Sequence, residues 1–138
     1  MAPVDATSIV DQLAVRALIG RLACATDRGT VEDYLACFAD DATLELDGQA
    51  PRRGRDELEA AARRGRDASV LGPGSASCHM VTPIEVTLSG SHGAATTRFM
   101  FLTHTTTAPI VAQVGLYRDQ LRRDADAWRI IRRVIERG

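Results

Sequence analysis

Four long segments of alternating polarity fill the second half of the chain, and they constrain its fold more than anything else in it. They read "CHMVTPIEVTL", "AATTRFMFLTHTTT", "IVAQVGLYRDQLRR" and "AWRIIRRVIE". Each carries apolar side chains at every second position over much of its length, the period of a strand with one buried face. Turn-forming clusters separate them: Ser89-Gly90-Ser91-His92-Gly93, then Ala108-Pro109, then Asp124 to Asp126. The first half has a different grammar. A helical stretch runs from about Ser8 to Arg28, with Arg28 and Gly29 as its stop signal. A second helix starts near Thr30, buries Val31, Tyr34 or Leu35 and Phe38, and is broken by Asp40 and Asp41. "GRDELEAAARRGRD" predicts a third helix. Between the second and third, "ATLEL" is a short strand with Leu44 and Leu46 on one face, and "ASVLGPGSAS" is a long loop. Helices first and a long-stranded meander afterwards is an α+β order, with a helix layer covering one face of a mostly antiparallel sheet. Long twisted strands curled around helices leave a cone whose opening suits a small-molecule pocket.

A chain of 138 residues is one domain by size, spanning residues 1–138. With 45% hydrophobic and 25% charged residues and a net charge of -1, nothing drives it toward nucleic acid or anionic lipid. The clusters Arg52, Arg53, Arg55 and Arg63, Arg64, Arg66 are interleaved with acids and read as solvated surface. No apolar run is long enough to span a bilayer, and the N-terminus lacks a signal-peptide pattern. Cys24, Cys37 and Cys78 match no metal spacing and fit a reducing cytoplasm. His79, His92 and His104 also lack ligand spacing, so no metal site is expected. Glycine-rich phosphate loops, nucleophile elbows and nucleotide fingerprints are missing, so no cofactor is called for.

Four polar residues fall where apolar ones belong. Asp27 lies on a stripe with Val10, Leu13, Ala17, Gly20 and Cys24, at a helix end where the dipole disfavours negative charge. His79 shares a face with Val81; His104 with Leu102, Met100 and Arg98; Arg133 with Ile131 and Ile135. If all four face one cavity, each answers another's problem. A buried carboxylate keeps its charge beside an imidazole or a guanidinium, and an imidazole so oriented is a general base. The alternatives are plain ones. Asp27 would bond backbone amides at the next helix, His79 would be a hydrogen-bonded core residue, and His104 would sit at a polar strand end. Arg132 or Arg129 would replace Arg133 if the register slips by one. Tyr34 and Tyr117 are candidate pocket residues, although Tyr117, like Trp128, also fits the core.

The stretches "AVRALIGRLACATDRGTVEDYLACFADDATLEL", "CHMVTPIEV" and "GLYRDQLRRDADAWRIIRRV" resemble the SnoaL-like superfamily over nearly the whole chain. That group includes scytalone dehydratase-like and dehydrochlorinase-like lyases, polyketide cyclases and ketosteroid isomerase relatives. The resemblance implies a cone-shaped α+β barrel, its curved sheet wrapped around three N-terminal helices, in a homodimer or homotrimer. It also implies an Asp–His dyad for proton abstraction, at Asp27 and His79. His104 resembles the second histidine of the dehydratase-like group, and Arg133 the pocket arginine of the dehydrochlorinase-like group. One departure is Thr26, where the dehydratase-like group has a tyrosine.

These readings converge on a cofactor-independent lyase, a dehydratase-type enzyme or a related isomerase or cyclase, acting on a small apolar, cyclic substrate. His79 and Asp27 are its expected catalytic pair, with His104, Arg133, Tyr34 and Tyr117 binding substrate. The alternative is a non-catalytic small-molecule-binding or scaffolding domain, because this fold hosts many functions. A hydrolase would need two acids flanking an arginine, and the sequence offers no clear second acid.

Overall fold

The computed structural model describes residues 6–125 and 127–138. The chain opens with helices α1 (Ala6–Arg28) and α2 (Val31–Leu35), then strands β1 (Phe38–Leu46) and β2 (Arg52–Arg53), then helix α3 (Gly54–Asp67). Strands β3 (Ser77–Ser89), β4 (His92–Thr103), β5 (Ile110–Asp124) and β6 (Ala127–Arg137) follow. They form one six-stranded sheet ordered β2-β1-β6-β5-β4-β3. All neighbours are antiparallel except β1 and β6, which run parallel. The sheet is curved and stays open, with β2 and β3 as its edges, so the α+β cone is a wrap rather than a closed barrel.

Local chemistry accounts for most of the elements. Thr30 caps α2 in a reciprocal box with Asp33, each side chain accepting the other's backbone N–H at 3.0 Å. The hairpin between β3 and β4 is a two-residue loop, with Gly90 at φ 59°. The loop between β5 and β6 is equally short; its Asp126 lies outside the described residues. Register shifts at Pro83/Glu85, Phe101/Leu102 and Gln120/Leu121 bend the long strands, and such bulges are what curve a sheet around its helices.

The second helix departs from its sequence reading. It ends at Leu35, and Phe38, Asp40 and Asp41 belong to β1, where a register shift against β6 leaves both aspartates exposed. The apolar stripe of α1 also departs. Its buried face is Val15, Leu18, Ile19, Leu22 and Ala25, whereas Val10 is 64% and Leu13 62% exposed. Asp11, Arg16, Arg21 and Asp27 are spread around this helix instead of sharing one face, so two apolar stripes of equal period compete, and only the sheet chooses between them. Leu18, Ile19 and Leu22 pack with Leu44, Leu58, Val86, Leu121, Trp128 and Ile130 in one core. Asp11 fixes the rotation of α1. It accepts hydrogen bonds from Trp128 Nε1 at 3.0 Å and from Arg123 Nη1 at 3.0 and 3.2 Å.

Candidate active site

Asp27 is buried (8% exposed) for a reason other than the stripe expected of it. The start of β3 lies across the last turn of α1 and covers the carboxylate. Oδ2 accepts the backbone N–H of His79 at 2.8 Å, and Oδ1 accepts from the Nδ1 of the same residue at 2.7 Å. One carboxylate therefore fixes both the main chain and the ring of its partner. An ionised carboxylate only accepts, so the geometry assigns the imidazole proton to Nδ1 and leaves the lone pair on Nε2. The ring, 14% exposed, rests against Phe101 at 4.7 Å between centroids and forms part of a cavity wall. Strand alternation holds as expected here, with His79 and Phe101 paired on one sheet face and Cys78 and Leu102 on the other.

A second acid stands behind a second wall residue. Arg133 donates Nε and Nη2 to Asp119 Oδ1 and Oδ2, both at 2.7 Å, in a planar two-pronged pair. Asp119 is the partner of Arg133 in the β5–β6 register, so the two side chains leave the same face of neighbouring strands. The guanidinium lies 4.0 Å over the Tyr117 ring, and that ring stacks on Phe99 at 4.4 Å. Gly115 makes this stack possible. A Cβ there would overlap the carbonyl of Glu136 and the Phe99 ring.

The cavity measures about 120 Å³. That is the scale of a roughly 150 Å³ apolar cavity able to hold benzene. Ile19, Leu22, Phe38, Leu44, Leu71 and Ile135 make its apolar wall. Thr26, Tyr34, Arg52, Arg66, His79, Tyr117 and Arg133 supply its polar groups. Burial pushes the Tyr117 phenol up to about 12 against the pull of Arg133, and burial raises Tyr34 as well. Both phenols are therefore neutral donors at ordinary pH. Neither hydroxyl has a hydrogen-bond partner among the described residues. Thr26, where the dehydratase-like group has a tyrosine, turns its hydroxyl back to the Leu22 carbonyl at 2.8 Å.

Five of the six residues singled out from sequence thus gather here: Asp27, His79, Tyr34, Tyr117 and Arg133. His104 does not. Strand β4 ends at Thr103, and His104 turns through φ 56° to an exposed position where its Nδ1 meets Thr103 Oγ1 at 3.0 Å. Alternation stops with the strand at Thr103, and the left-handed turn carries the ring away from the cavity wall. Three residues escaped the sequence reading. Asp119 was legible in principle, since Tyr117, Asp119 and Leu121 alternate on one buried face. Arg52 and Arg66 were read as solvated surface, yet both are half-buried in the wall. Nothing in an interleaved charge cluster marks which member turns inward.

An open sheet wrapped on three helices, with a small mixed cavity between the layers, is an α+β cone with room for a small molecule. The SnoaL-like domain model matches residues 7–134, and the chain belongs to that family. A protein of unknown function from Nostoc punctiforme, with a cystatin-like fold, superposes at a TM-score of 0.81 and 21% identity, covering 99% of this chain and 96% of that one. An NTF2-like protein from Novosphingobium aromaticivorans gives 0.77 and 22%, over 97% and 90% of the two chains. A protein from the same organism provisionally assigned as a scytalone dehydratase gives 0.76 and 15%, over 96% and 87%. No curated protein matches the sequence. At these identities the likeness establishes the fold alone.

Proposed function

We propose that the protein is a cofactor-independent lyase of the dehydratase type, acting on a small ring-sized substrate through Asp27 and His79. The observation that carries this is the double bond of one carboxylate to both the backbone N–H and the Nδ1 of His79, which leaves Nε2 as a base on the cavity wall. In the step proposed, Nε2 takes a proton from the carbon beside an activated carbonyl. The C–H pair becomes the new C=C bond as the C–O bond to the hydroxyl group breaks. The departing hydroxide takes a proton from the imidazolium and leaves as water, returning His79 to its starting state. Asp27 stabilises the imidazolium in between, and a base so positioned typically contributes about 10²- to 10⁴-fold. The phenols of Tyr34 and Tyr117 and the free Nη1 of Arg133 are the donors for charge gathering on the carbonyl oxygen. Isomerisation and cyclisation begin with the same proton removal.

The test is a screen of ring-sized β-hydroxy ketones for loss of water, repeated with His79→Gln and Asp27→Asn. Each variant should keep its far-UV spectrum and lose at least about a hundredfold in kcat. Turnover that survives His79→Gln refutes the base. If no such ketone reacts or exchanges its α-protons, the binding-domain reading takes over.

We further propose that the domain works as a homo-oligomer in the cytoplasm. The sheet face turned away from the helices carries exposed Met80, Ile84, Val111 and Val114, with Met80 and Met100 paired across β3 and β4. Such a patch on a sheet is the kind of surface a second copy covers. The three cysteines are all unpaired, as a reducing compartment leaves them.

A further inference from the structure

We infer that the cavity is built for a substrate bearing a carboxylate, held between Arg52 and Arg66 beside the Tyr34 hydroxyl. This rests on the proposed placement of the base at His79 and names what the rest of the wall recognises. Three guanidinium groups reach the cavity, and only one of them is neutralised. Arg133 has Asp119. Arg52 and Arg66 have no carboxylate partner among the described residues.

Register places the first of them. Arg52 pairs with Leu44 across β2 and β1, and Leu44 pairs with Arg133 across β1 and β6. Paired residues project from the same face of a sheet, so Arg52, Leu44 and Arg133 form one row, with an apolar residue between two cations. Among the described residues the Arg52 head is held only by Gln49 Oε1, at 3.2 Å.

Arg66 arrives from the opposite layer, on α3. Its Nη2 donates to the carbonyls of Ala25 at 3.0 Å and Gly29 at 3.3 Å, which anchors it at the C-terminus of α1. Its Nε is buried without an acceptor. Its Nη1 donates to the Ala62 carbonyl at 3.4 Å, and the second N–H of that nitrogen is the one left for an incoming anionic oxygen. Gly72, at φ 90°, presses on the stem of this arginine so closely that a Cβ would come within 2.8 Å of its Cγ. The side chain is thus fixed from both sides before any ligand arrives.

Tyr34 ties the two together. It lines the same cavity as Arg133, Arg52 and Arg66, and all three cations act electrostatically on its phenol. A planar carboxylate has two oxygens and four lone-pair sites for such donors. An apolar wall of Ile19, Leu22 and Ile135 beside them suits a hydrocarbon ring. The substrate class is therefore a monocyclic or short-chain carboxylic acid, oriented by its anion so that its far side faces His79.

Benzoate and its neutral isostere benzamide test this by calorimetric titration at about pH 8, where benzoate is ionised and an ordinary imidazole is neutral. The wild-type protein should bind benzoate at least about tenfold more tightly than benzamide. That preference should fall by about tenfold in Arg52→Gln, the range of one charged hydrogen bond, and should survive in His79→Gln. Arg52 is half-exposed and bonded only to Gln49, so this variant should fold; Arg66→Lys, which keeps the charge but not the fork, provides the second reading and should also weaken the preference. Equal affinity for the two probes, binding of neither, or a preference unaffected by Arg52→Gln and Arg66→Lys would overturn the proposal. Loss of the preference in His79→Gln alone would overturn it too, by placing the anion on the imidazole. Tighter binding of inorganic phosphate than of benzoate would reject the carboxylate. Because binding is read without turnover, these outcomes are separate from any failure of the base.

Discussion

Asp27 bonds His79 twice, at the ring and at the main chain, across 52 positions of sequence. The pairing joins the last turn of α1 to the first residues of β3, so one carboxylate sets a tautomer and also pins the helix layer to the sheet. Asp27→Asn keeps the shape but replaces an obligate acceptor with a group that must offer N–H to one of its two partners. Long-range proton–nitrogen NMR on neutral His79 should show one tautomer, with the proton on Nδ1, in the wild type, and a mixture in Asp27→Asn. A mixture already present in the wild type would refute the assignment. Asp27→Ala should cost about 2 kcal/mol or more in urea unfolding, since a charged hydrogen bond contributes about 1.5–3 kcal/mol.

Asp119 and Arg133 are expected to be asymmetric in what they cost. Removing the acid alone, by Asp119→Ala, strands a buried cation and should destabilise by about 3–5 kcal/mol. Replacing both, with Asp119→Leu and Arg133→Met, should recover much of that loss, because desolvation of the pair offsets much of its attraction. Chemical denaturation of Asp119→Ala and of the double variant, each against the wild type, reads the difference directly.

Alkaline pH should loosen the fold before it breaks anything else at the site. Tyr117 holds its proton up to about 12 when folded, against an ordinary value of 10.0. Between those values the unfolded chain binds fewer protons, so stability is full below pH 10 and falls as pH rises through the window. Tyr34 shifts in the same direction. Urea midpoints in that range, compared with those of Tyr117→Phe, should decline more steeply in the wild type; equal slopes would rule out the buried phenol as the cause.

On the outer sheet face, Met80 is 54% exposed and is not among the residues lining the cavity. Met80→Glu should shift the protein to a monomer in light scattering while leaving the bonds of Asp27 to His79 in place. An unchanged mass, or a wild type that is already monomeric, removes that face as an interface.

The sequence alone settles the local decisions: the period of each strand, a helix starting near Thr30, a turn within Ser89 to Gly93, and helices mostly ahead of the long strands. It also singles out Asp27 and His79, because a carboxylate and an imidazole in apolar surroundings are costly wherever they end up. What it leaves open is whatever depends on which surface meets which. The buried stripe of α1 is chosen by contact with β3 and by Asp11 on Trp128, not by the helix itself. The parallel pairing of β1 with β6, which lines up Arg52, Leu44 and Arg133, joins segments with no local reason to meet. Alternation puts Asp119 on a buried face, but only the β5–β6 register gives it Arg133 as a partner, and His104 leaves the site because one residue adopts a positive φ that alternation cannot register. Periodicity reports the face a residue occupies within its own element; the sum of burial and pairing energies over all elements decides what that face touches.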